Sequence, residues 1–145
     1  MNELVGAVSE VRLQIVDTRP NVEIYFAPES QFLSIEPNYV PTNLGFFYMW
    51  WDQSNAIIKA RILIDTARVT QQERQHLLRE ELTQSLGLAR DSWKYPNSIF
   101  YQGWTATQQY TPIDRNLVKL LYERQLRPGL TRLQLEDVFS AVTSN

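Results

Sequence analysis

The sequence predicts a single α+β domain that spans residues 1–145, and three observations carry this prediction. Residues 22–65 contain short alternating or apolar runs separated by prolines and turn residues, which is typical of strands. Residues 71–86 form a helical segment whose beginning and end are both marked. Two further helix starts follow, at Thr111 and Thr131. We therefore expect a small twisted mixed sheet packed on a central helix, with additional helices toward the C-terminus.

The N-terminal segment fits two kinds of element. Leu4, Val8, Val11 and Ile15 recur at helical spacing, which predicts a helix over residues 2–16. The end of the same run also alternates between apolar and polar side chains, as a strand does. Both interpretations stay open at the level of sequence.

Three runs predict strands. Residues 22–26 alternate apolar with polar side chains. Residues 45–51 are apolar on both faces, which is typical of a strand buried inside a sheet. Residues 56–65 alternate isoleucines with Lys59 and Arg61, and a half-exposed strand of this kind is expected at a sheet edge.

The helix over residues 71–86 is the best-marked element of the chain. Thr70 and Glu73 have the spacing of a capping box, in which each side chain binds the backbone N–H of the other residue. Gly87 suits the residue after the helix, where a positive φ costs a glycine little. One apolar stripe is expected to pack on the sheet: Leu78, Leu82 and Leu86.

A polar arc runs along a different face of the same helix and carries its titratable groups: His76, Glu80, Glu81, Thr83 and Gln84. Glu80 and Gln84 are one turn apart, so their side chains are neighbours. If this arc faces solvent, it is an ordinary polar helix surface. If it faces a cleft, the adjacent carboxylates raise each other's pKa and one of them keeps its proton. Such a site would suit acid–base chemistry or the binding of a cation.

The composition excludes several classes of function. The net charge of −2 does not indicate the basic surface that binds nucleic acids. No apolar run is long enough to span a membrane. The absence of cysteine excludes disulfides and zinc–thiolate sites. His76 is the single histidine, and nothing near it in sequence indicates a catalytic triad. The first residues lack the basic start and apolar run of a signal peptide.

Large aromatic residues are numerous, and most are expected to pack in the core: Trp50, Trp51, Trp93, Tyr95, Trp104 and Tyr110. Trp93, Tyr95 and Trp104 fall in loops that would surround a cleft beside the central helix. Exposed aromatic residues in loops commonly serve recognition.

Residues 80–91 resemble the zinc-binding helix of the metzincin proteases, His-Glu-x-x-His-x-x-Gly-x-x-His. Glu81 matches the catalytic glutamate and Gly87 matches the glycine. The three zinc-ligand positions hold other residues: Glu80, Gln84 and Arg90. A glutamine and an arginine are poor zinc ligands, because zinc sites use imidazole, thiolate or carboxylate.

Two further segments carry the resemblance. Residues 98–101, Ser-Ile-Phe-Tyr, resemble the Met-turn that lies under the metal, and residues 110–122 resemble the final helix of the matrixin type. The chain is most similar to a bacterial family described only as a domain of unknown function, over about residues 1–130. This resemblance implies a metzincin-like zincin fold with Glu-Glu-x-x-Gln in place of His-Glu-x-x-His. It also implies a secreted, periplasmic or envelope-associated location.

The lost zinc ligands imply a non-catalytic module for peptide or protein binding, or for assembly, that needs no cofactor. Arg90 is expected to pair with Glu80 or Glu81 and so replace the charge of the metal. In a protease-like cleft the edge strand would pair with an extended peptide. The expected binding residues are His76, Glu80, Gln84, Arg90, Asp91, Tyr101 and Tyr110.

Two other functions stay open. In the first, the chain is a hydrolase in which Glu81 is the general base and Glu80 contacts a metal or the substrate. Zinc or another divalent cation would then be held by His76, Glu80 and Asp91, an oxygen-rich set suited to a hard ion. In the second, the chain is a structural domain of a larger envelope protein and has no ligand.

Overall fold

The computed structural model describes residues 13–123 and 125–143. The elements follow in the order strand β1 (Val22–Ala27), a 3-10 turn (Glu29–Gln31), helix α1 (Phe32–Ile35), strands β2 (Gly45–Trp51) and β3 (Ile57–Asp65), and helices α2 (Gln71–Gln84), α3 (Pro112–Leu121) and α4 (Arg132–Thr143). This part of the chain is therefore α+β, as the sequence predicts. Within it, no helix combines the length and apolar character that crossing a membrane requires.

Most of the helix predicted at the N-terminus lies outside the described residues. Residues 13–16, its predicted end, belong to neither a helix nor a strand. The strand predicted over residues 22–26 is confirmed as β1 and continues to Ala27.

The three strands form one mixed sheet in the order β1-β3-β2. β3 is central, with β1 parallel to it on one side and β2 antiparallel to it on the other. The prediction that residues 56–65 form an edge strand is therefore wrong. The aromatic strand β2, which was expected inside the sheet, lies at an edge of the described sheet.

The charged residues of β3 explain the error. The Lys59 Nζ and the Arg61 guanidinium each lie 2.8 Å from a carboxylate oxygen of Glu23 on β1. Arg61 also lies 3.2 Å from the carboxylate of Glu36, which is 1% exposed. These charges are paired across the sheet rather than solvated, so their alternation along β3 does not indicate an exposed strand.

The sheet is packed on both faces. Ile62 and Ile64 of β3 belong to the larger core cluster, together with Leu77 and Leu82 of α2. Leu63, whose side chain points the opposite way, belongs to a second cluster with Ala27, Phe32 and Tyr39. The central strand is thus buried on both faces in its C-terminal half, and α2 is fixed against one of them.

The start of α2 agrees with the sequence, but the helix ends at Gln84, two residues before the predicted end at residue 86. The Thr70 N–H donates to the Glu73 carboxylate at 2.7 Å, and the Glu73 N–H donates to Thr70 Oγ1 at 3.3 Å. Gly87 has a φ of +125°. Leu82 is buried as expected, with Leu78 and Leu86 partly buried beside it. Leu77, which the predicted stripe omits, is buried as well.

Helices α3 and α4 also begin where the sequence places them. At α4, the Thr131 N–H donates to Gln134 Oε1 at 2.8 Å. At α3, the fully buried Asp114 accepts from the N–H of Thr111 at 2.7 Å and from the N–H of Ile99 at 3.2 Å. Its other oxygen accepts from Ser98 Oγ at 2.5 Å. One carboxylate therefore caps α3 and also holds the buried turn at residues 98–100.

We predict that Asp114→Ala lowers the free energy of unfolding by about 2–4 kcal/mol. The substitution removes the Asp114 half of the capping box of α3 and leaves the N–H of Ile99 buried without an acceptor. Urea unfolding followed by tryptophan fluorescence measures the effect. The control is Asp137→Ala on the exposed face of α4, which should change the free energy by less than about 0.5 kcal/mol. Equal effects of the two substitutions would contradict this role of Asp114.

Candidate functional site

The polar arc of α2 faces inward. His76, Glu81, Thr83 and Gln84 are buried, and the Glu80 side chain is 13% exposed. Of the two interpretations that the sequence leaves open, the solvent-facing one is therefore wrong. The buried arc lies against strand β2, the chain after α2, and the segment over residues 104–110.

His76 is held between two acceptors. Its Nδ1 lies 2.8 Å from the carbonyl oxygen of Thr107, which accepts only, so Nδ1 carries a proton. Its Nε2 lies 3.3 Å from the Glu80 carboxylate. Burial lowers the pKa of His76, but the hydrogen bonds to Glu80 and Thr107 outweigh it and leave the pKa raised. Charged imidazolium paired with the Glu80 carboxylate is the state that this geometry favours.

Glu81 is the most unusual residue of the arc. Its side chain is 7% exposed, and among the described residues none forms a hydrogen bond or ion pair with its carboxyl group. Burial, followed by the charges of Glu80 and Asp91, raises the pKa of Glu81 well above its usual value. The protonated form of this carboxyl group is therefore favoured more strongly than in an exposed glutamate.

Gly45, the first residue of β2, makes room for Glu81. A Cβ at this position would overlap Glu81 Oε1 and would lie 2.9 Å from Leu77 Cδ2. The missing side chain thus leaves space for the side chains of Glu81 and Leu77 against the edge strand. As a result, the carboxyl group of Glu81 lies directly against the start of β2.

Asp91 adds a third carboxyl group to the same region. Its Oδ1 accepts a hydrogen bond from Gln84 Nε2 at 2.5 Å. Burial and the charge of Glu80 raise the pKa of Asp91 to about 6, against the opposing effect of the Gln84 hydrogen bond. The neighbouring Ser92 N–H donates to the carbonyl of Phe100 at 2.9 Å, which ties this segment to the buried turn. We call His76, Glu80, Glu81, Gln84 and Asp91 the carboxylate site.

Tyr110 and Tyr101, both predicted to bind a ligand, have different surroundings. Tyr110 is buried, and its hydroxyl donates to Thr83 Oγ1 at 2.6 Å, because that oxygen already donates to the carbonyl of Arg79. The Arg79 guanidinium lies 5.4 Å from the Tyr110 ring centre. Tyr101 packs edge-on against Trp93, with 5.7 Å between the ring centres. Tyr110 is thus a buried residue that supports α2, while Tyr101 packs against an exposed tryptophan.

Two tryptophans adjoin the carboxylate site in sequence and are exposed. Trp93, two residues after Asp91, is 70% exposed, and Trp104, beside Thr105, is 58% exposed. Thr105 Oγ1 lies 3.4 Å from His76 Nε2, which places Trp104 next to the site. The expectation that most large aromatics pack in the core is wrong. Trp51, Trp93, Tyr95 and Trp104 are exposed, Trp50 is partly buried, and Tyr110 is buried.

Arg90 does not have the role expected of it. Its side chain is exposed, and no ion pair joins it to Glu80 or Glu81. Because α2 ends at Gln84 and the chain turns at Gly87, the residue that is turned inward is Asp91. The carboxylate site therefore gains a further acid at this point rather than a cation.

The site does not fit the zinc ion of the metzincins. At the second ligand position, Gln84 uses its amide N–H₂ as a donor to Asp91, and at the third position Arg90 is an exposed cation. Within residues 13–123 and 125–143, no three His, Asp or Glu side chains converge closely enough to hold a metal ion. The alternative set of His76, Glu80 and Asp91 is included in that statement.

Sequence reasoning missed two contributors to the site. Gly45 stands at the start of the aromatic strand, and a glycine in a strand is a known sign of close approach by another element. That signal was present and was not used. Thr107 contributes through its carbonyl oxygen, which every residue possesses, so no sequence pattern identifies it.

The shifted pKa values predict that the protein is most stable in mild acid. Asp91 binds an extra proton in the folded state between its usual pKa of 3.8 and about 6, so stability falls as pH rises through this window. The raised pKa of Glu81 makes the stability fall further at higher pH. The stabilisation that His76 contributes is complete below pH 6.5 and is lost above it, as the pH passes the raised pKa. Below about pH 4 the lowered pKa of Glu23, caused chiefly by its hydrogen bond with Lys59, reverses the trend.

Urea unfolding between pH 4 and pH 8 tests this prediction. We expect the free energy of unfolding to fall by roughly 2 kcal/mol from pH 5 to pH 8, allowing for solvent screening of the half-buried Asp91. Glu81→Gln should raise stability at pH 8 by on the order of 1 kcal/mol and change it little at pH 5. Glu136→Gln, which removes an exposed charge from α4, is the matched control and should leave the profile unchanged. A profile that rises toward pH 8 would contradict the prediction.

Comparison with known proteins places the chain in a family but gives it no function. No curated protein and no solved structure matches it. The family described as "Protein of unknown function (DUF2927)" matches residues 3–141, which is nearly the whole chain. The chain therefore belongs to the DUF2927 family.

Proposed function

We propose that this domain is a non-catalytic binding module, with a metzincin-like zincin fold, that takes up an extended peptide segment of a partner protein. One observation carries the proposal. The carboxyl group of Glu81 is buried and has no partner among the described residues, and it lies at the start of the edge strand β2. A buried polar group in this state is suited to receive a donor from a ligand.

The arrangement of elements supports the metzincin-like part of the proposal. A mixed sheet with an antiparallel edge strand packs on one helix, and that helix carries Glu81 at the position of the catalytic glutamate. The chain leaves the helix at Gly87, where the φ is positive. Ser98, Ile99 and Phe100, which resemble the Met-turn, are buried in a tight turn that holds the Asp91 segment.

Strand β2 supports the peptide part of the proposal. One side of β2 pairs with β3, and no described strand pairs with the other side. The backbone N–H and C=O groups along such an edge can form a ladder with an added strand. Because Gly45 begins β2 and contacts Glu81, a peptide laid along this edge reaches the carboxylate site at one end.

The chemistry of the site favours binding over catalysis. Metzincin-type hydrolysis needs a metal-activated water, and the ligand positions here hold Glu80, Gln84 and Arg90. In addition, the raised pKa of Glu81 favours its protonated form, and a protonated carboxyl group cannot act as a general base toward water.

A hydrolase is the second candidate, with Glu81 as the general base and Glu80 in contact with the substrate. One observation favours it. A buried carboxyl group with a strongly raised pKa is a common property of catalytic acids and bases.

An array of acetylated and amidated hexapeptides of varied sequence, probed with the full chain, tests the proposed binding. We expect a subset to bind with micromolar Kd. N-methylation at alternate positions of a bound peptide should abolish binding, because it removes the N–H groups that pair with β2. N-methylation at the intervening positions is the matched control and should be tolerated. Binding that is insensitive to both patterns, or no binding at all, would overturn strand addition.

Mass spectrometry of the same peptides after incubation separates the two candidates. The binding module leaves every peptide intact. Cleavage that disappears in Glu81→Gln and persists in Glu136→Gln would replace the binding proposal with the hydrolase.

A further inference from the structure

We propose that the carboxylate site binds an organic cation, namely the ammonium group of a lysine or the guanidinium group of an arginine in the partner peptide. This inference rests on the proposed function and names the chemistry that the site recognises. It follows from the charges that face Glu81 and Asp91, from the unpartnered state of Glu81, and from the aromatic residues beside them.

The carboxylate site has more acids than cations to pair with them. The charged groups of α2 that act on the site are His76, Arg79 and Glu80. The chain after α2 contributes Asp91. Strand β2 contributes Gly45, which has no charge. The imidazole of His76 is paired with Glu80, and the Arg79 guanidinium stacks on the Tyr110 ring. Within the described chain, neither Glu81 nor Asp91 forms an ion pair.

Glu81 adds an observation that is independent of the number of acids. Its side chain is more than nine-tenths buried, and no described residue donates a hydrogen bond to it. A carboxyl group in such a poorly solvated place without a hydrogen-bond donor is uncommon in native proteins. A ligand that brings both a hydrogen-bond donor and a positive charge provides Glu81 with a partner and balances the charge of Asp91.

An ammonium or guanidinium group fits the site better than a metal ion. Metal ions need ligands that converge at 2.0–2.6 Å, and the described acids do not converge in this way. The charges of Glu80 and Asp91 nevertheless raise the pKa of Glu81, and the charge of Glu80 raises the pKa of Asp91. N–H donors bind carboxylates at about 2.7–2.9 Å and point in several directions, so a larger nitrogen-centred cation can satisfy acids that are further apart.

The exposed tryptophans suit the rest of such a side chain. Trp93 follows Asp91 by two residues, and Trp104 adjoins Thr105, whose hydroxyl lies 3.4 Å from His76 Nε2. The aliphatic stem of a lysine or arginine packs well on aromatic faces, and its charged end is attracted to them. The aromatic border and the acidic interior thus match the two ends of one side chain.

A cation in the site should compete with protons. It favours the ionised forms of Glu81 and Asp91, so binding releases protons, and the affinity rises as pH increases through the Asp91 pKa of about 6. For each proton released, the affinity changes by up to about tenfold per pH unit below that pKa. A ligand recognised through neutral hydrogen bonds would show no such dependence.

Titration of the ¹⁵N-labelled full chain with n-butylammonium and n-butylguanidinium chloride tests the inference, with n-butanol as the uncharged control. We expect either cation to shift the amide signals of residues 80–91 with a millimolar Kd, and n-butanol to leave them unchanged. Raising the pH from 5 to 7 should tighten binding of the cation about tenfold or more. Glu81→Gln should weaken it about tenfold, and Glu136→Gln should have no effect. Equal binding of n-butanol, or full affinity in Glu81→Gln, would overturn the inference.

Two further comparisons distinguish a failure of this inference from a failure of the proposed function. On the peptide array, replacing lysine or arginine by norleucine should abolish binding of the peptides that bind. Peptide binding that survives this replacement, with no response to n-butylammonium, would overturn the inference and leave the binding module intact. A response to n-butylammonium without peptide binding would overturn the peptide partner and indicate a free amine as the ligand. Tighter binding of Mg²⁺ or Ca²⁺ at the same residues would overturn the organic cation.

Discussion

The structure depends on the way α2 lies against the edge of the sheet, with Glu81 packed onto Gly45. Leu77 and Leu82 fix one side of the helix in the core, and the adjacent polar arc is buried by the same contact. A Cβ at residue 45 would overlap Glu81 Oε1, so the side chains of Glu81 and Leu77 would have to take other positions. The apolar packing that stabilises the domain therefore also forces a carboxyl group into a poorly solvated place, and the chemistry of the site follows from that constraint.

The rest of the fold holds this costly arrangement in place. The capping box of Thr70 and Glu73 sets where α2 begins, and the positive φ of Gly87 sets where the chain leaves it. Asp114 joins the cap of α3 to the buried turn, which in turn holds the Asp91 segment. Each of these interactions depends on backbone N–H groups, which have fixed directions, so the site is built on rigid supports.

The sequence predicted the parts of the structure that are encoded locally. The ends of α2, α3 and α4 follow from residues within one turn of each other, and the structure agrees with all three starts. The strand order was wrong because Lys59 and Arg61 are paired with Glu23, some 36 residues away, and a single sequence does not reveal such pairs. The same limit applies at residues 90 and 91. Their types are plain in the sequence, but which of the two faces inward depends on the turn after α2.

Both the site of a metal enzyme and the carboxylate site hold acids in a poorly solvated place, where a negative charge needs compensation. The two sites compensate it differently. In a zinc helix, a divalent ion balances the buried acid and holds its neighbours. Here the pairing of His76 with Glu80 favours the imidazolium form, and burial favours the protonated form of Glu81. A proton replaces a metal ion only in part, because it neutralises one carboxyl group and does not orient the neighbouring side chains. A cation bound to the ionised form of Glu81 would compete with protons, so the raised pKa of Glu81 would reduce the free energy of its binding. The affinity of the proposed cation would therefore depend on pH as well as on shape.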